Sequence, residues 1–343
     1  MPSIKLMPRP AGLKRVGTSP GSRWFDMMPN MSEMFCDRLL DAIDYTHGPI
    51  CVGIDPVLES IPASIRAKFQ SRDDTRESAV DAIFDFTTRI LKIVAPLVPI
   101  VKFQSAFFEK YLWDGVEAYY SLIHEASELG LLVIGDVKRG DIGSTAAAYA
   151  AGHLAEQTSG DEEGLVTPDA ITVNPMLGLD TLEPFIQTAR EFNKGLFVLV
   201  RTSNPGSAVL QDAKLASGQS WSEMLAEKLA PLAADAALVG KRGFSSIGAV
   251  IGATQPQALA ELRRRLPKSI FLLPGYGTQG ATADMTRAAF EGGQGAIVSA
   301  SRSILYAHQE KKYSSQFGDD WEKCVEAAVL DMKRDLATVL GKM

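Results

Sequence analysis

The sequence predicts an α/β protein, a single-domain (β/α)8 TIM barrel with loop insertions. Eight short apolar runs recur along the chain, and each is followed by a longer segment with helical periodicity. The runs are almost continuously apolar rather than alternating, which is typical of parallel strands buried on both faces. A length of 343 residues fits one large barrel or two medium domains. The alternative fold is a doubly wound open sheet, which needs fewer strands and usually binds its ligand at one switch point.

The candidate strands follow one another at regular intervals. In chain order they are PICVGI (49–54), LVPIVKF (97–103), LLVIGDV (131–137), AITVN (170–174), GLFVLVR (195–201), IGAVIG (247–252), SIFLLP (269–274) and GAIVS (295–299). Intervening segments such as 78–95 and 257–266 have the periodicity of crossover helices between parallel strands.

Several segments fall outside this rhythm. We expect loop insertions at 56–75, 158–169 and 202–244, the last with an amphipathic helix around 220–238. Residues 1–35 are expected to be a disordered extension, 36–308 the catalytic barrel, and 309–343 a helical segment that packs on it. Residues 1–25 carry five cations and no acid, but they lack the apolar stretch of a secretory signal. An organelle-targeting peptide, a loose tail and a start codon assigned too early stay open for them.

Composition excludes several classes of protein. The net charge of −6 argues against a nucleic acid as main partner. No apolar run reaches the roughly 18 residues needed to span a bilayer, so we expect no membrane insertion. The cysteines Cys36, Cys51 and Cys324 lack the spacing of a disulfide framework or a zinc site, which favours the reducing cytoplasm. Four scattered histidines indicate neither a metal triad nor a Ser/His/Asp relay, and we expect no metal.

Polar side chains stand at the carboxyl ends of the strands, where (β/α)8 enzymes place their active sites. They are Asp55, Lys102, Asp136, Lys138, Asp141, Asn174, Arg201, Ser203 and Arg302. Each alone has a simpler explanation, since Asp55 could cap a helix and Lys102 could extend its ammonium group to water. The segment DVKRGD alone could be a solvated loop. Alternating charges that converge on one rim favour chemistry instead.

Asp136 and Lys138 are two residues apart on a strand, so both side chains point to the same face. Opposite charges held close together keep each other ionised despite partial burial. The resulting fixed field suits a reaction in which negative charge develops on carbon, because a nearby ammonium group can stabilise the anion and then donate a proton.

The segment PGYGTQG after the seventh run contains the pattern GxGxxG at Gly275, Gly277 and Gly280. We reject a dinucleotide site here, because no acidic residue closes the next strand and the unit is not the first of a Rossmann pair. Loops after strands seven and eight of barrels commonly bind phosphate. We therefore interpret Gln279 and Arg302 as phosphate ligands, although Arg302 could simply be a surface residue that starts a helix.

The third strand and its loop carry the pattern D-x-K-x-x-D-I-x-x-T, as Asp136, Lys138, Asp141, Ile142 and Thr145. With VGIDP, VKFQ, TSNPG, PGYGTQG and SRSI, it resembles the orotidine 5′-phosphate decarboxylase family, in particular its longer bacterial subgroup. The resemblance covers residues 36–308.

The resemblance implies a decarboxylation of orotidine 5′-phosphate to UMP and CO2 without a cofactor, in the synthesis of pyrimidine nucleotides. It further implies a homodimer whose subunits share active sites. Lys138 would protonate C6 of the pyrimidine and Asp136 would crowd the substrate carboxylate. Lys102 and Asp141 would complete the charged array, with Asp141 from the partner subunit. The implied substrate-binding residues are Asp55 for the ribose, Ile142 and Thr145 from the partner subunit, Ser203 for the pyrimidine, and Gln279 and Arg302 for the phosphate.

Three other functions compete with this interpretation. Related sugar-phosphate decarboxylases and hexulose-phosphate synthases use Mg²⁺ with an acidic residue where this chain has Lys102. A Schiff-base aldolase would use Lys138 or Lys102, but nearby aspartates would keep the amine charged and poorly nucleophilic. A barrel that binds nucleotides without catalysis would have no reason to keep every motif position.

Overall fold

The computed structural model describes residues 33–69, 75–156, 166–278 and 280–341. Eight parallel strands in chain order close into a barrel, with the first strand paired to both the second and the eighth. This confirms the predicted fold and excludes the open sheet. The strands are β1 (Ile50–Ile54), β2 (Ile100–Gln104), β3 (Leu132–Arg139), β4 (Ala170–Val173), β5 (Gly195–Arg201), β6 (Ser245–Ile251), β7 (Ser269–Pro274) and β8 (Ala296–Ala300).

Helices connect and cover the strands. They are α1 (Phe35–Thr46), α2 (Ala63–Phe69), α3 (Arg76–Val94), α4 (Ala106–Glu109), α5 (Leu112–Glu128), α6 (Gly143–Leu154), α7 (Glu183–Glu191), α8 (Ser207–Gln211), α9 (Trp221–Ala233), α10 (Pro256–Arg265), α11 (Ala283–Thr286), α12 (Arg302–Leu305), α13 (Lys311–Phe317) and α14 (Trp321–Leu340). None of the helices in the described ranges is both long and apolar enough to cross a membrane.

The core has two parts, because β-strand side chains alternate between the barrel interior and the helices outside. The interior cluster includes Leu132, Ile134 and Ile270. Helix α1 contributes side chains to it from the end of the barrel at which the strands begin. Phe35 of α1 lies so close to Gly195 that a Cβ there would be 2.2 Å from its ring. Glycine at the start of β5 therefore admits the aromatic ring that closes the barrel floor. The larger cluster joins the outer face of the sheet to the helices.

The predicted insertions differ in structure. Residues 202–244 contain α8 and α9, and α9 begins with a reciprocal capping box in which Ser220 and Glu223 each accept the other's backbone N–H. The segment 56–75 contains α2, while its residues 70–74 lie outside the described ranges. Residues 158–165 of the predicted insertion at 158–169 and residues 1–32 of the expected N-terminal extension also lie outside them. At the other end of the chain α14 packs against α3, where the rings of Trp321 and Phe86 are 5.4 Å apart.

Candidate active site

Asp136 is the centre of a charged network at the carboxyl ends of β2 and β3. Its carboxylate accepts hydrogen bonds from Lys102 Nζ at 2.7 Å and from Lys138 Nζ at 2.5 Å. The oxygen that accepts from Lys102, Oδ2, also accepts from Gln104 Nε2 at 3.0 Å. The oxygen that accepts from Lys138, Oδ1, also accepts from Thr172 Oγ1 at 2.9 Å. Four donors thus fix both carboxylate oxygens, and the three predicted charged residues meet at one point of the rim.

Lys138 reaches this network through an irregular backbone. Between Gly135 and Arg139 the register of β3 against β4 shifts, so β3 contains extra residues at the place where its functional side chains lie. Lys138 has a φ of 45°, in the left-handed region that side chains rarely adopt. Its backbone N–H donates to Thr172 Oγ1 at 2.9 Å, which holds the unusual conformation. The bulge is a local feature that re-aims an ammonium group into the barrel mouth.

Burial and charge set the protonation states of the network. The side chains of Lys102 and Asp136 are 9% and 8% exposed, whereas that of Lys138 is 44% exposed. Burial alone would lower the pKa of Lys102, but the carboxylates of Asp136 and Asp55 outweigh it and hold that pKa above its usual value. Burial alone would raise the pKa of Asp136, but the two ammonium groups hold it well below its usual value. Both groups are therefore charged over the whole physiological pH range.

Asp55 stands directly after β1, close enough to Lys102 to act on its pKa. Its Oδ1 is buried and has no hydrogen-bond partner among the described residues. A buried acceptor without a donor is costly, so its presence beside the charged network indicates a place for a ligand donor. Cys51 lies below this region, where burial raises the pKa of its thiol to about 12 and keeps it neutral.

Asp141, Ile142 and Thr145 lie on the loop and first turn after β3, on the outside of the barrel mouth. Asp141 accepts the backbone N–H of Ile142 at 2.8 Å and forms no ion pair within the described part of this chain. Ile142 is 63% exposed, and Thr145 is exposed as well. The structure therefore does not bring these three residues to the network of the same chain.

Ser203 follows β5 in a loop that a buried arginine organises. Arg201 forms two hydrogen bonds with Asp212, of 3.0 and 2.7 Å, and donates to the carbonyl oxygen of Thr202 at 2.7 Å. A Cβ at Gly252, after β6, would lie 2.9 Å from the Cα of Ser203, so glycine there lets the loop approach closely. Arg201 is thus a structural residue that ties the 202–244 insertion to the rim.

The predicted phosphate ligands follow β7 and β8. Arg302 is the first residue of α12 and is exposed, whereas Gln279 lies outside the described residues. The loop around it has left-handed backbone at Gly275, Gly277 and Gly280, with φ of 107°, 71° and 83°. Glycine is needed at these positions because other residues would be strained there.

Gln104 and Thr172 are members of the network that the sequence pattern did not predict. Both are neutral, and strand ends of barrels contain many such residues. Side chains alternate between the two faces of a strand, so Thr172 is expected on the same face as Asn174 at the end of the predicted fourth strand. This alternation is the sequence feature that could have identified Thr172. Within the described ranges, no group of three or more His, Cys, Asp and Glu side chains could hold a metal ion.

The chain is similar to known proteins over most of its length. Residues 48–317 match the Orotidine 5'-phosphate decarboxylase / HUMPS family. The chain is 40% identical to the orotidine 5'-phosphate decarboxylase of Rhodopirellula baltica, over 88% of this chain and 98% of that protein. It is 37% identical to that of Caldicellulosiruptor bescii, over 90% and 99%. The OMP decarboxylase structure of Leishmania donovani superposes with a TM-score of 0.63 at 27% identity, over 90% of this chain and 99% of that one. The chain therefore belongs to the Orotidine 5'-phosphate decarboxylase / HUMPS family.

Proposed function

We propose that this protein is a carbon–carbon lyase that decarboxylates orotidine 5′-phosphate to UMP and CO2, the step that completes UMP in pyrimidine nucleotide synthesis. The observation that carries the proposal is the Lys102–Asp136–Lys138 network, in a chain of this family. It is a fixed arrangement of two cations around one carboxylate, built for charge that develops on the substrate.

The chemistry follows from the charges. When the bond between C6 and the carboxylate breaks, CO2 leaves and the electron pair stays on C6. The ammonium group of Lys138 stabilises this carbanion and transfers a proton to it, and solvent then reprotonates the amine. Asp136 stays ionised because its pKa is held low, so it repels the substrate carboxylate and favours the loss of CO2. Lys102 fixes Asp136 in place at 2.7 Å.

Substrate binding is assigned to the surrounding rim. The unpartnered Oδ1 of Asp55 suits a ribose hydroxyl, which can donate the missing hydrogen bond. Ser203 is assigned to the pyrimidine, and Gln279 with Arg302 to the phosphate. Because the phosphate is remote from C6, its binding energy can be used to exclude water around the charged network.

We further propose a homodimer with shared sites, in which Asp141, Ile142 and Thr145 enter the partner's barrel mouth. Support comes from exposed apolar side chains in the segments that follow β2, β3 and β4. They are Leu112, Trp113, Ile142, Tyr149, Met176 and Leu177. Apolar side chains exposed on neighbouring segments are typical of protein interfaces. Asp141 forms no ion pair within the described part of its own chain, which fits the same arrangement. We assign the enzyme to the cytoplasm because its three cysteines are all free and buried.

The decisive assay follows the ultraviolet absorbance of orotidine 5′-phosphate after addition of purified protein in EDTA. We expect conversion to UMP that is unaffected by EDTA or by added Mg²⁺. Binding of UMP without any turnover would favour a non-catalytic nucleotide-binding barrel. Turnover of a sugar phosphate that requires Mg²⁺ would favour the metal-dependent relatives.

A further inference from the structure

Helix α14 reaches the loop that follows β7. Residues 321–340 lie beyond the segment that matches the family, which ends at 317. The phenol of Tyr276, in the loop, donates a hydrogen bond to the carboxylate of Asp335 on α14. Tyr276 is half-buried, and its ring packs against the larger hydrophobic cluster between the sheet and the helices. A residue next to the predicted phosphate-binding turn is therefore tied to the C-terminal helix.

Hydrogen bonds join the two ends of the turn that follows Tyr276. Tyr276 pairs with Ala281 in an isolated bridge, and the N–H of Gly277 donates to the carbonyl oxygen of Ala281 at 3.0 Å. The N–H of Ala281 in turn donates to Gly275 at 3.3 Å. These hydrogen bonds hold Gly275, Gly277 and Ala281 together at the base of the turn, so a contact made by Tyr276 acts directly on that base.

A cavity of about 450 Å3 opens between the turn and the C-terminal helices. Tyr276, Gly277 and Ser303 line one side of it. Lys312, Met332 and Thr338 lie among the residues that line the other side. The Tyr276–Asp335 hydrogen bond crosses this gap. Loss of this hydrogen bond would remove a direct tie between Tyr276 and α14.

The phenol of Tyr276 keeps its proton and remains a hydrogen-bond donor. Burial, and then the carboxylate of Asp335, raise the pKa of Tyr276 above its usual value. The phenol therefore stays protonated at any pH at which the enzyme would work.

We propose that Tyr276 and Asp335 are positioning residues that orient the β7 turn toward the phosphate of the nucleotide, so that α14 contributes to substrate affinity without touching the substrate. The inference rests on the proposed function, in which the loops after β7 and β8 hold the phosphate. Neither residue contacts the reacting atoms.

The test compares Tyr276→Phe with Tyr313→Phe. Tyr313 is a matched control, because its phenol donates to Asp331 on the same helix at 3.1 Å but belongs to α13. Affinity is measured for UMP and for uridine, which lacks the phosphate. We expect Tyr276→Phe to weaken UMP about three- to tenfold, as loss of one hydrogen bond implies, and to leave uridine unchanged. KM for orotidine 5′-phosphate should rise by the same factor with little change in kcat, and Tyr313→Phe should change neither.

Two variants of the acceptor complete the test. Asp335→Asn keeps an acceptor oxygen and should retain most of the UMP affinity, whereas Asp335→Ala should match Tyr276→Phe. The double variant Tyr276→Phe/Asp335→Ala should be no weaker than either single one. Equal losses for UMP and uridine, additive losses in the double variant, or no loss at all would each overturn the inference.

These outcomes are separable from failure of the proposed function. If the wild-type protein binds UMP but turns over no orotidine 5′-phosphate, the proposed reaction is wrong, while a selective loss of UMP affinity would still support the positioning role. Failure of the wild-type protein to bind UMP would overturn both.

Discussion

At the residue scale, the network around Asp136 makes its members depend on one another. Asp136 is buried between two ammonium groups, and removal of one partner from a buried pair leaves the other uncompensated. The left-handed backbone of Lys138 adds strain, of about 1–3 kcal/mol for such positions, that the surrounding contacts must offset. The site is therefore held together at a cost to stability that only its chemistry explains.

Asp136→Asn tests this dependence through pH. In the wild type, Asp136 has a lowered pKa, so its contribution to stability is complete above about pH 4 and lost as the pH falls further. Lys102 has a raised pKa, so its contribution is complete below about pH 10 and lost above it. In the variant the carboxylate of Asp55 remains, but burial is the largest single influence on Lys102, so we expect the pKa of Lys102 to fall below its usual value. We expect a loss of about 3 kcal/mol at pH 7 that diminishes toward pH 9.5, because the unfolded state then binds more protons.

Denaturant unfolding at several pH values measures this effect. Asp212→Asn is the matched control, since it removes the carboxylate partner of a buried arginine, Arg201, and an arginine side chain does not lose its proton in proteins. The control should lose stability without a new pH dependence between 7 and 9.5. A flat profile for Asp136→Asn as well would contradict the account of Lys102.

The sequence was sufficient to identify the charged members of the network, because a charge at a strand end is rare enough to be noticed. It was insufficient for Thr172 and Gln104, which are recognisable only once their contact with Asp136 is seen. The position of Asp141 relative to the network was also beyond the sequence, since a residue that would serve a neighbouring subunit has no local signature.

At the element scale, the irregular parts of strands and helices decide how the site is built. The sequence predicted the third strand, and its alternation placed Asp136 and Lys138 on one face. It did not predict the register shift between Gly135 and Arg139, because a bulge depends on how two strands pair rather than on either one alone. The barrel floor was missed for a similar reason, since an apolar helical pattern does not say which surface it covers.

Helix α1 should contribute strongly to stability, because it closes the barrel interior below the site. Leu39 is fully buried in the interior cluster, so Leu39→Ala should reduce the free energy of unfolding by about 2–5 kcal/mol. Leu330→Ala, on α14 with a side chain 38% exposed, is the matched control and should cost much less. Equal losses in denaturant unfolding would mean that α1 does not close the core.

At the scale of the whole molecule, the closed barrel was predictable from a count. Eight apolar runs separated by helical segments leave few arrangements, because parallel strands joined by right-handed crossovers must lie side by side in order. The strand bounds differ from the predicted ones by at most three residues. The oligomeric state cannot be predicted from such a count, because an exposed apolar side chain does not identify the protein that would cover it.

Shared active sites can be tested by mixing inactive subunits. Lys138→Ala and Asp141→Ala should each be nearly inactive as homodimers. In a mixed dimer, the Asp141→Ala subunit keeps its own Lys138 and receives Asp141 from its partner. Random exchange of subunits in a twofold dimer should then restore about a quarter of the wild-type activity. A mixture no more active than its separate components would contradict a site built from two chains.

The central claim is that the charged network stabilises a carbanion at C6 and that Lys138 carries the proton to it. The most direct measurement is exchange of the C6 hydrogen of UMP for deuterium in D2O, followed by proton NMR, because the protonation step must also run in reverse. We predict that the wild-type protein catalyses this exchange without added metal, and that Lys138→Ala binds UMP but does not. Absence of exchange with the wild type, or equal exchange with Lys138→Ala, would contradict the account.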